Sequence, residues 1–327
     1  MMKINSIRIV YMGSPGFAVR PLQKLLEAGC RVVGVITAPD RPAGRGKKIR
    51  QSAVKDFLIQ HQYKMPVLQP ESLKDPAFVK ELEELNPDLQ VVVAFRMLPR
   101  VVWSIPSLGT INLHASLLPQ YRGAAPINHA IINGEKETGV TTFLIDEQID
   151  TGNILLQEHT AIGELETAGE LHDRLMETGA SLVLETVRRM SAGSLKAKSQ
   201  DGYADPKDAL KRAPKIFKED CRIRWDLPGK EVSNLIRGLS PYPGAFTYLY
   251  RKEEEALLCK IFSATFEALP HKDPPGTIFT DGKRRLEVAV KDGVIDIHTI
   301  QQEGKRKMDA RDFLAGFSLS SGQSRFS

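Results

Sequence analysis

Cysteine is scarce in this chain: Cys30, Cys221 and Cys259 are the only three among 327 residues, far apart and without CxxC spacing. That excludes a disulfide-stapled scaffold and a cysteine-built zinc site, and predicts ordinary buried thiols in a reducing cytoplasm. No apolar run approaches the roughly 18 residues of a membrane-spanning helix, so no membrane partner is expected. The opening "MMKINSIRIVYMG" enters a strand at once and has no signal-peptide cleavage pattern. The first glycine turn reads "GSPGF" instead of GxGxxG, which disfavours a nicotinamide-dependent enzyme. His61, His159, His172, His271 and His298 are scattered, so no metal site is expected. Internal repeats and low-complexity tracts are absent as well.

What remains is an ordinary globular composition, 42% hydrophobic and 26% charged, long enough for about two domains. The net charge of +5 permits a polyanionic partner without requiring one. The charge is gathered rather than spread. "RPAGRGKKIR" holds Arg41, Arg45, Lys47, Lys48 and Arg50 with no acid among them. Further basic clusters lie in "KDALKRAPKIFK", which contains Lys207 and Lys211, and in "GKRK" from Gly304.

The segment "IRIVYMGSPGFAVRPLQKLLEAGCRVVGVIT" reads as strand, glycine turn, helix, strand. Such a βαβ unit predicts an α/β domain with a Rossmann-like, doubly wound, mostly parallel sheet. "DLQVVVAF" and "GTINLHAS" continue it as buried strands, "APINHAIINGE" as a helix, and residues 168–192 as a long helix. Hydrophobic periodicity fades from about residue 194, marking a linker, so the catalytic domain is expected over residues 1–205. Over 206–327, a short helix and several alternating apolar runs predict a small antiparallel barrel of the OB kind.

Asn112 and His114 stand two apart in a strand and therefore on one face, near the strand's carboxyl end, where ligands of open α/β sheets bind. The loop "DEQIDTG" supplies Asp146, Glu147 and Asp150. An amide that donates to a developing oxyanion, an imidazole and a carboxylate make a coherent set for acyl transfer. The same residues are also compatible with a satisfied core pair and a turn aspartate.

"NLHASLLPQYRGAAP" together with "ETGVTTFLIDEQIDTGNIL" resembles the formyltransferase family that uses 10-formyltetrahydrofolate. "TAPDRPAGRGKKIRQSAVK", "YADPKDALKRAPKI" and "RIRWDLPGKEVSNLIRGLSPYPGAFT" resemble its methionyl-tRNA formyltransferase branch, over about residues 7–317. The resemblance implies formyl transfer to the amino group of initiator methionyl-tRNA, with Asn112, His114 and Asp150 as catalytic residues. It implies 10-formyltetrahydrofolate as co-substrate, held by Phe95, Arg96, Met97, Leu98, Ser116, Leu117, Leu118 and Pro119. For "SLLP" a plain strand-ending turn is the competing reading. Phe95-Arg96 departs from the Tyr-Gly pair of many relatives. Arg41, Arg45, Lys47, Lys48, Lys207 and Lys211 are the expected tRNA contacts of a cytoplasmic, monomeric enzyme. The alternatives are a formyltransferase acting on glycinamide ribonucleotide or an amino sugar nucleotide, and a nucleic-acid-binding protein without chemistry.

Overall fold

A computed structural model describes residues 4–43, 48–203, 209–250, 256–317, 319, 321 and 324–327. The amino-terminal half runs β1 (Arg8–Gly13), α1 (Val19–Glu27), β2 (Arg31–Ile36), β3 (Arg41–Ala43), β4 (Lys48–Arg50) and α2 (Ala53–Gln60). It continues with β5 (Val67–Leu68), α3 (Pro76–Glu84), β6 (Leu89–Val93), α4 (Arg100–Trp103), β7 (Thr110–His114) and β8 (Arg122–Gly123). Then come α5 (Pro126–Ile132), β9 (Glu137–Leu144), β10 (Ile154–Ala161) and the 24-residue α6 (Ala168–Ser191).

Seven strands form one sheet in the order β10-β9-β7-β6-β1-β2-β5. The pairs β1–β2, β1–β6, β2–β5 and β6–β7 are parallel, and β9 joins β7 antiparallel. The chain builds outward from β1 through β2 and β5, then returns to build through β6 and β7. The order therefore reverses between β1 and β6, the position where doubly wound sheets open a crevice beyond their carboxyl ends. At that edge Gly13 has no room for a side chain: a Cβ would lie 2.5 Å from Ala18 Cβ. Helices cover both faces. Val10, Met12, Ile36 and Val92 pack with Phe78 and Leu82 of α3 on one face. On the other, Leu113 presses on Gly179 of α6, whose missing Cβ would sit 2.7 Å from the leucine.

The basic stretch at 41–50 is not a plain loop. Arg41 pairs with Arg50, Pro42 with Ile49 and Ala43 with Lys48, so β3 and β4 are the legs of an antiparallel hairpin.

The carboxyl-terminal half contains β11 (Arg212–Ala213), α7 (Gly229–Gly238), β12 (Ala245–Tyr250), β13 (Leu257–Glu267) and β14 (Ile278–Thr280). It ends with β15 (Leu286–Val290), β16 (Gly293–Gln302), β17 (Met308–Asp309), α8 (Ala310–Ala315) and β18 (Arg325–Phe326). The strand order β14-β15-β16-β13-β12-β18 is antiparallel throughout. The first and last strands also meet. Ile278 N donates to Ser324 O at 3.2 Å and Phe326 N to Gly276 O at 2.9 Å, closing the sheet into a small barrel. Its core gathers Trp225, Ile236, Ile261, Val288, Ile295, Phe313 and Phe326, all buried.

The chain divides into two compact units. One comprises 1–123, 138–160 and 172–212; the other comprises 124–137, 161–171 and 213–327. No described helix is long and apolar enough to cross a membrane. All three cysteines are buried and free.

Candidate active site

β7 carries the site because its residues alternate. Leu113 faces α6, so Asn112 and His114 turn to the opposite face. His114 is 6% exposed. Its Nε2 lies 2.8 Å from the Tyr121 carbonyl oxygen, which can only accept. Nε2 therefore carries a hydrogen, and Nδ1 is the nitrogen that gains or loses a proton. Nδ1 faces Asp150 Oδ2 across 3.8 Å, too long for a direct hydrogen bond but close enough for charge pairing. Asn112 is half-buried, and among the described residues its side-chain amide has no hydrogen-bond partner.

His114 and Asp150 are each held by hydrogen bonds around them. Ser116 Oγ donates to Gln120 O at 2.7 Å, and the Leu118–Pro119 peptide is cis. Thr141 Oγ1 donates to Ser116 O at 2.6 Å, and Gln157 Nε2 donates to Leu118 O at 2.9 Å. The turn so fixed brings Tyr121 back beneath the imidazole, with Tyr121 N donating to Lys211 O at 2.7 Å.

Asp150 adopts φ 56°, in the left-handed region that costs a non-glycine residue energy and persists only when neighbours impose it. Here they do. Gly123 N donates to Asp150 Oδ2 at 3.0 Å, and Gln200 Nε2 donates to the carbonyls of Asp150 at 2.9 Å and Gly152 at 2.8 Å. Gln200 Oε1 in turn accepts from Arg122 at 2.6 Å. Gly152 is obligatory, since a Cβ would lie 1.6 Å from Leu144 O. The three acids of the loop thus separate by task. Asp146 caps the turn by accepting from Gln148 N and Thr151 Oγ1, Glu147 pairs at the surface with Arg100 at 3.3 Å, and Asp150 alone faces the imidazole.

The other expected residues fall in three places. Phe95 to Leu98 follow β6 directly, after Ala94 at φ 46°. Phe95 is half-buried, Met97 is 73% exposed and Leu98 is buried. The Arg96 side chain reaches to the segment that follows β5. It donates to the carbonyls of Pro70 and Glu71, its carbon CZ lies 5.6 Å from the Phe95 ring centre, and partial desolvation lowers its pKa. Ser116, Leu118 and Pro119 are buried and Leu117 is half-buried; their hydrogen bonds close on the fold and hold His114. Arg41 and Lys211 are exposed. Lys48 lies in β4, while Arg45, Lys47 and Lys207 lie outside the described residues. Tyr121, Gly123, Thr141, Gln157 and Gln200 were not anticipated. Tyr121 and Gly123 lie within the quoted motif; nothing local marks Gln200. Among the described residues no three His, Cys, Asp or Glu side chains gather as a metal site.

Comparisons with known proteins find matches over nearly the whole chain. A formyl transferase family model matches residues 7–187, and a formyl transferase C-terminal domain model matches 215–318. A methionyl-tRNA formyltransferase of Bacteroides thetaiotaomicron is 51% identical over 321 residues, covering 98% of this chain and 99% of that protein. One of Flavobacterium johnsoniae is 48% identical, covering 97% of this chain and 98% of its own. Among solved structures, HypX from Aquifex aeolicus in complex with tetrahydrofolic acid superposes with a TM-score of 0.61 at 19% identity, over 94% of this chain and 47% of HypX, a likeness of fold. The sugar 3N-formyl transferase WlaRD does so with a TM-score of 0.61 at 20% identity, over 92% of this chain and 99% of its own. Matched by both domain models and by whole-length relatives at about half identity, this chain belongs to the formyl transferase family, in its methionyl-tRNA formyltransferase branch.

Proposed function

We propose that the chain transfers the formyl group of 10-formyltetrahydrofolate to the amino group of methionine on initiator tRNA, with Asn112, His114 and Asp150 as its catalytic residues. The observation that carries the assignment of roles is the open Asn112 amide beside an imidazole whose Nδ1 faces a carboxylate. The residues at the carboxyl end of β6 suit a flat, polar-edged co-substrate. Half-buried Phe95 and exposed Met97 offer apolar area beside the left-handed turn at Ala94. Phe95 to Leu98 are thus the proposed pterin-side contacts, with Ser116 to Pro119 supporting the site from behind.

In the reaction a bond forms between the methionine nitrogen and the formyl carbon. The bond from that carbon to N10 breaks, the amine loses a proton, and N10 gains one. Negative charge grows on the formyl oxygen. The Asn112 amide donates to that oxygen, and protonated His114 donates through Nδ1, because Nε2 is already spent on Tyr121 O. Asp150 supports the imidazolium and accepts the amine proton. Losing one such donor raises the barrier by roughly 3–4 kcal/mol.

The basic hairpin, Lys211 and the carboxyl-terminal barrel are the proposed tRNA surface, with phosphate contacts giving affinity rather than sequence choice. We take the reaction to be cytoplasmic and the acting unit to be a single chain, since all three polar groups come from one polypeptide. The test is formyl transfer to initiator Met-tRNA by wild type and His114→Ala. The expected outcome is a loss of about 10²–10⁴-fold in turnover with tRNA affinity retained. Unchanged turnover removes His114 from the mechanism.

A further inference from the structure

The hairpin β3–β4 is a two-stranded sheet of three residues a side, detached from the main sheet. Such a hairpin is marginal in water by itself. None of its described side chains is buried: Arg41, Pro42, Ile49 and Arg50 are all exposed, Ile49 at 71%. Its orientation must therefore come from its base, and the base is unusually well tied.

The leg entering β3 passes Asp40, and the leg leaving β4 enters α2, capped by Ser52, whose Oγ accepts from Lys55 N at 3.1 Å. Lys55 Nζ, on the first turn of α2, donates to Asp40 Oδ2 and to Gln69 Oε1, each at 2.6 Å. Gln69 Nε2 donates to Asp40 Oδ1 and to the Ala38 carbonyl, each at 2.7 Å. Every polar atom of the Gln69 amide and both Asp40 oxygens are thus engaged across the hairpin's mouth. The Asp40 and Lys55 side chains are 26% and 20% exposed, far less than the neighbouring Arg41–Glu71 pair at 72% and 76%. Donors from Gln69 and Lys55 hold the Asp40 carboxyl below its ordinary range. Residues 70 and 71 are themselves fixed by Arg96, so the anchor sits on a braced segment.

Resting on the tRNA reading, we propose that Asp40, Lys55 and Gln69 are positioning residues that aim the basic hairpin at the tRNA. They would set the KM for tRNA without taking part in formyl transfer. Two of the three Lys55 ammonium hydrogens are committed to these close acceptors, so the side chain serves the anchor.

Charge and position predict opposite signs here. Asp40→Asn removes a negative charge beside a surface that meets a polyanion, so electrostatics alone would tighten tRNA binding. A positioning role weakens it. Steady-state kinetics of the full chain with initiator Met-tRNA and 10-formyltetrahydrofolate separate the two. For Asp40→Asn and for Gln69→Leu we expect the tRNA KM to rise about ten-fold while kcat and the folate KM stay within about two-fold. Lys55→Arg, which keeps charge and donors, is expected to stay near wild type. An unchanged or lowered tRNA KM overturns the proposal, and so does an equal fall in kcat, which would mark general damage. Gln69→Leu decides the matter if Asp40→Asn does not fold. Arg50→Ala tells this failure from that of the tRNA reading. If Arg50→Ala also leaves the tRNA KM unchanged, the hairpin does not dock tRNA at all; if it raises KM while the anchor variants do not, only the anchor falls.

Discussion

The two nitrogens of His114 are unequal, and the inequality is set by one backbone carbonyl. With Nε2 committed to Tyr121 O, turning the ring over would break that buried hydrogen bond. On the proposed mechanism the reacting nitrogen is therefore Nδ1, on the Asp150 side. Asp150→Asn tests this directly. Asparagine tolerates the left-handed backbone and still accepts from Gly123 N, so the fold should persist while the charge is lost. The expected result is formyl transfer reduced by about 10²–10³-fold with an unchanged melting temperature. Gly152 gives the complementary case, in which the backbone matters and the chemistry does not. Gly152→Ala drives a methyl into Leu144 O and should cost about 3 kcal/mol, read as a lowered urea midpoint. At this scale the sequence offered Asn112, His114 and Asp150 only through the family resemblance, because Asn-x-His on a strand and Asp-Thr-Gly in a loop fit a core pair and a plain turn equally well. The structure brings His114 Nδ1 within 3.8 Å of Asp150 Oδ2. The sequence could not show who holds them. Gln200 lies about fifty residues from the loop it pins, and a glutamine's long-range hydrogen bonds leave no local pattern.

At the level of elements, periodicity was a good guide wherever an element buries a face. The first βαβ unit, α5, α6 and α7 fall where their apolar spacing put them. It gave no signal for the strands at 41–43 and 48–50, whose described side chains are exposed and whose pairing therefore leaves no hydrophobic pattern. The anchor was missed for a related reason: isolated charges such as Asp40 and Lys55 read as solvated until their partner across the chain is known. The turn joining β14 to β15 offers an element-scale prediction. Asp281 Oδ1 accepts from the backbone N–H groups of Lys283, Arg284 and Arg285 at 2.8, 2.8 and 2.9 Å. Those donors favour the ionised form, and the carboxyl is pulled down to about 2. A carboxyl depressed in the folded state stabilises above its unfolded value, near 3.9 for a free aspartate, and that contribution disappears as pH falls through the folded value. Asp281→Ala should therefore melt below wild type at neutral pH, and the gap should shrink between about pH 4 and pH 2. A gap that is flat across this window would mean the carboxylate's charge contributes nothing. The thiols follow from burial in the same way. Desolvation pushes Cys30 up to about 11 and Cys259 up to about 12, and raises Cys221, so a native-state thiol titration at pH 8 should find none reactive.

For the molecule as a whole, chain order and spatial grouping differ. A composition shift near residue 194 is visible in the sequence, but the grouping of 124–137 and 161–171 with the carboxyl-terminal residues is not, because it depends on contacts more than seventy residues apart. These contacts are specific. Asn128 Nδ2 donates to Gly238 O at 2.7 Å, Arg237 Nη1 donates to Glu166 O at 3.1 Å, and Gly169 N donates to Ser240 O at 3.0 Å. Gly238 also lets Ile132 approach so closely that a Cβ would lie 2.6 Å from its Cγ1. A chain ended at residue 205 would keep α5 and the 161–171 segment but remove every one of these partners. Backbone and amide groups would lose their hydrogen bonds, and the apolar side of α5 would meet water. We therefore expect such a chain to lose activity on charged tRNA and also to melt several degrees lower, with limited proteolysis cutting first within 124–137 or 161–171. The two losses have different causes, so activity alone cannot assign the barrel's role. A truncated chain as stable and protease-resistant as the parent would show that the two inserted segments do not depend on the barrel. The activity loss could then be ascribed to tRNA binding or to the lost Lys211 carbonyl that accepts from Tyr121 N beneath His114.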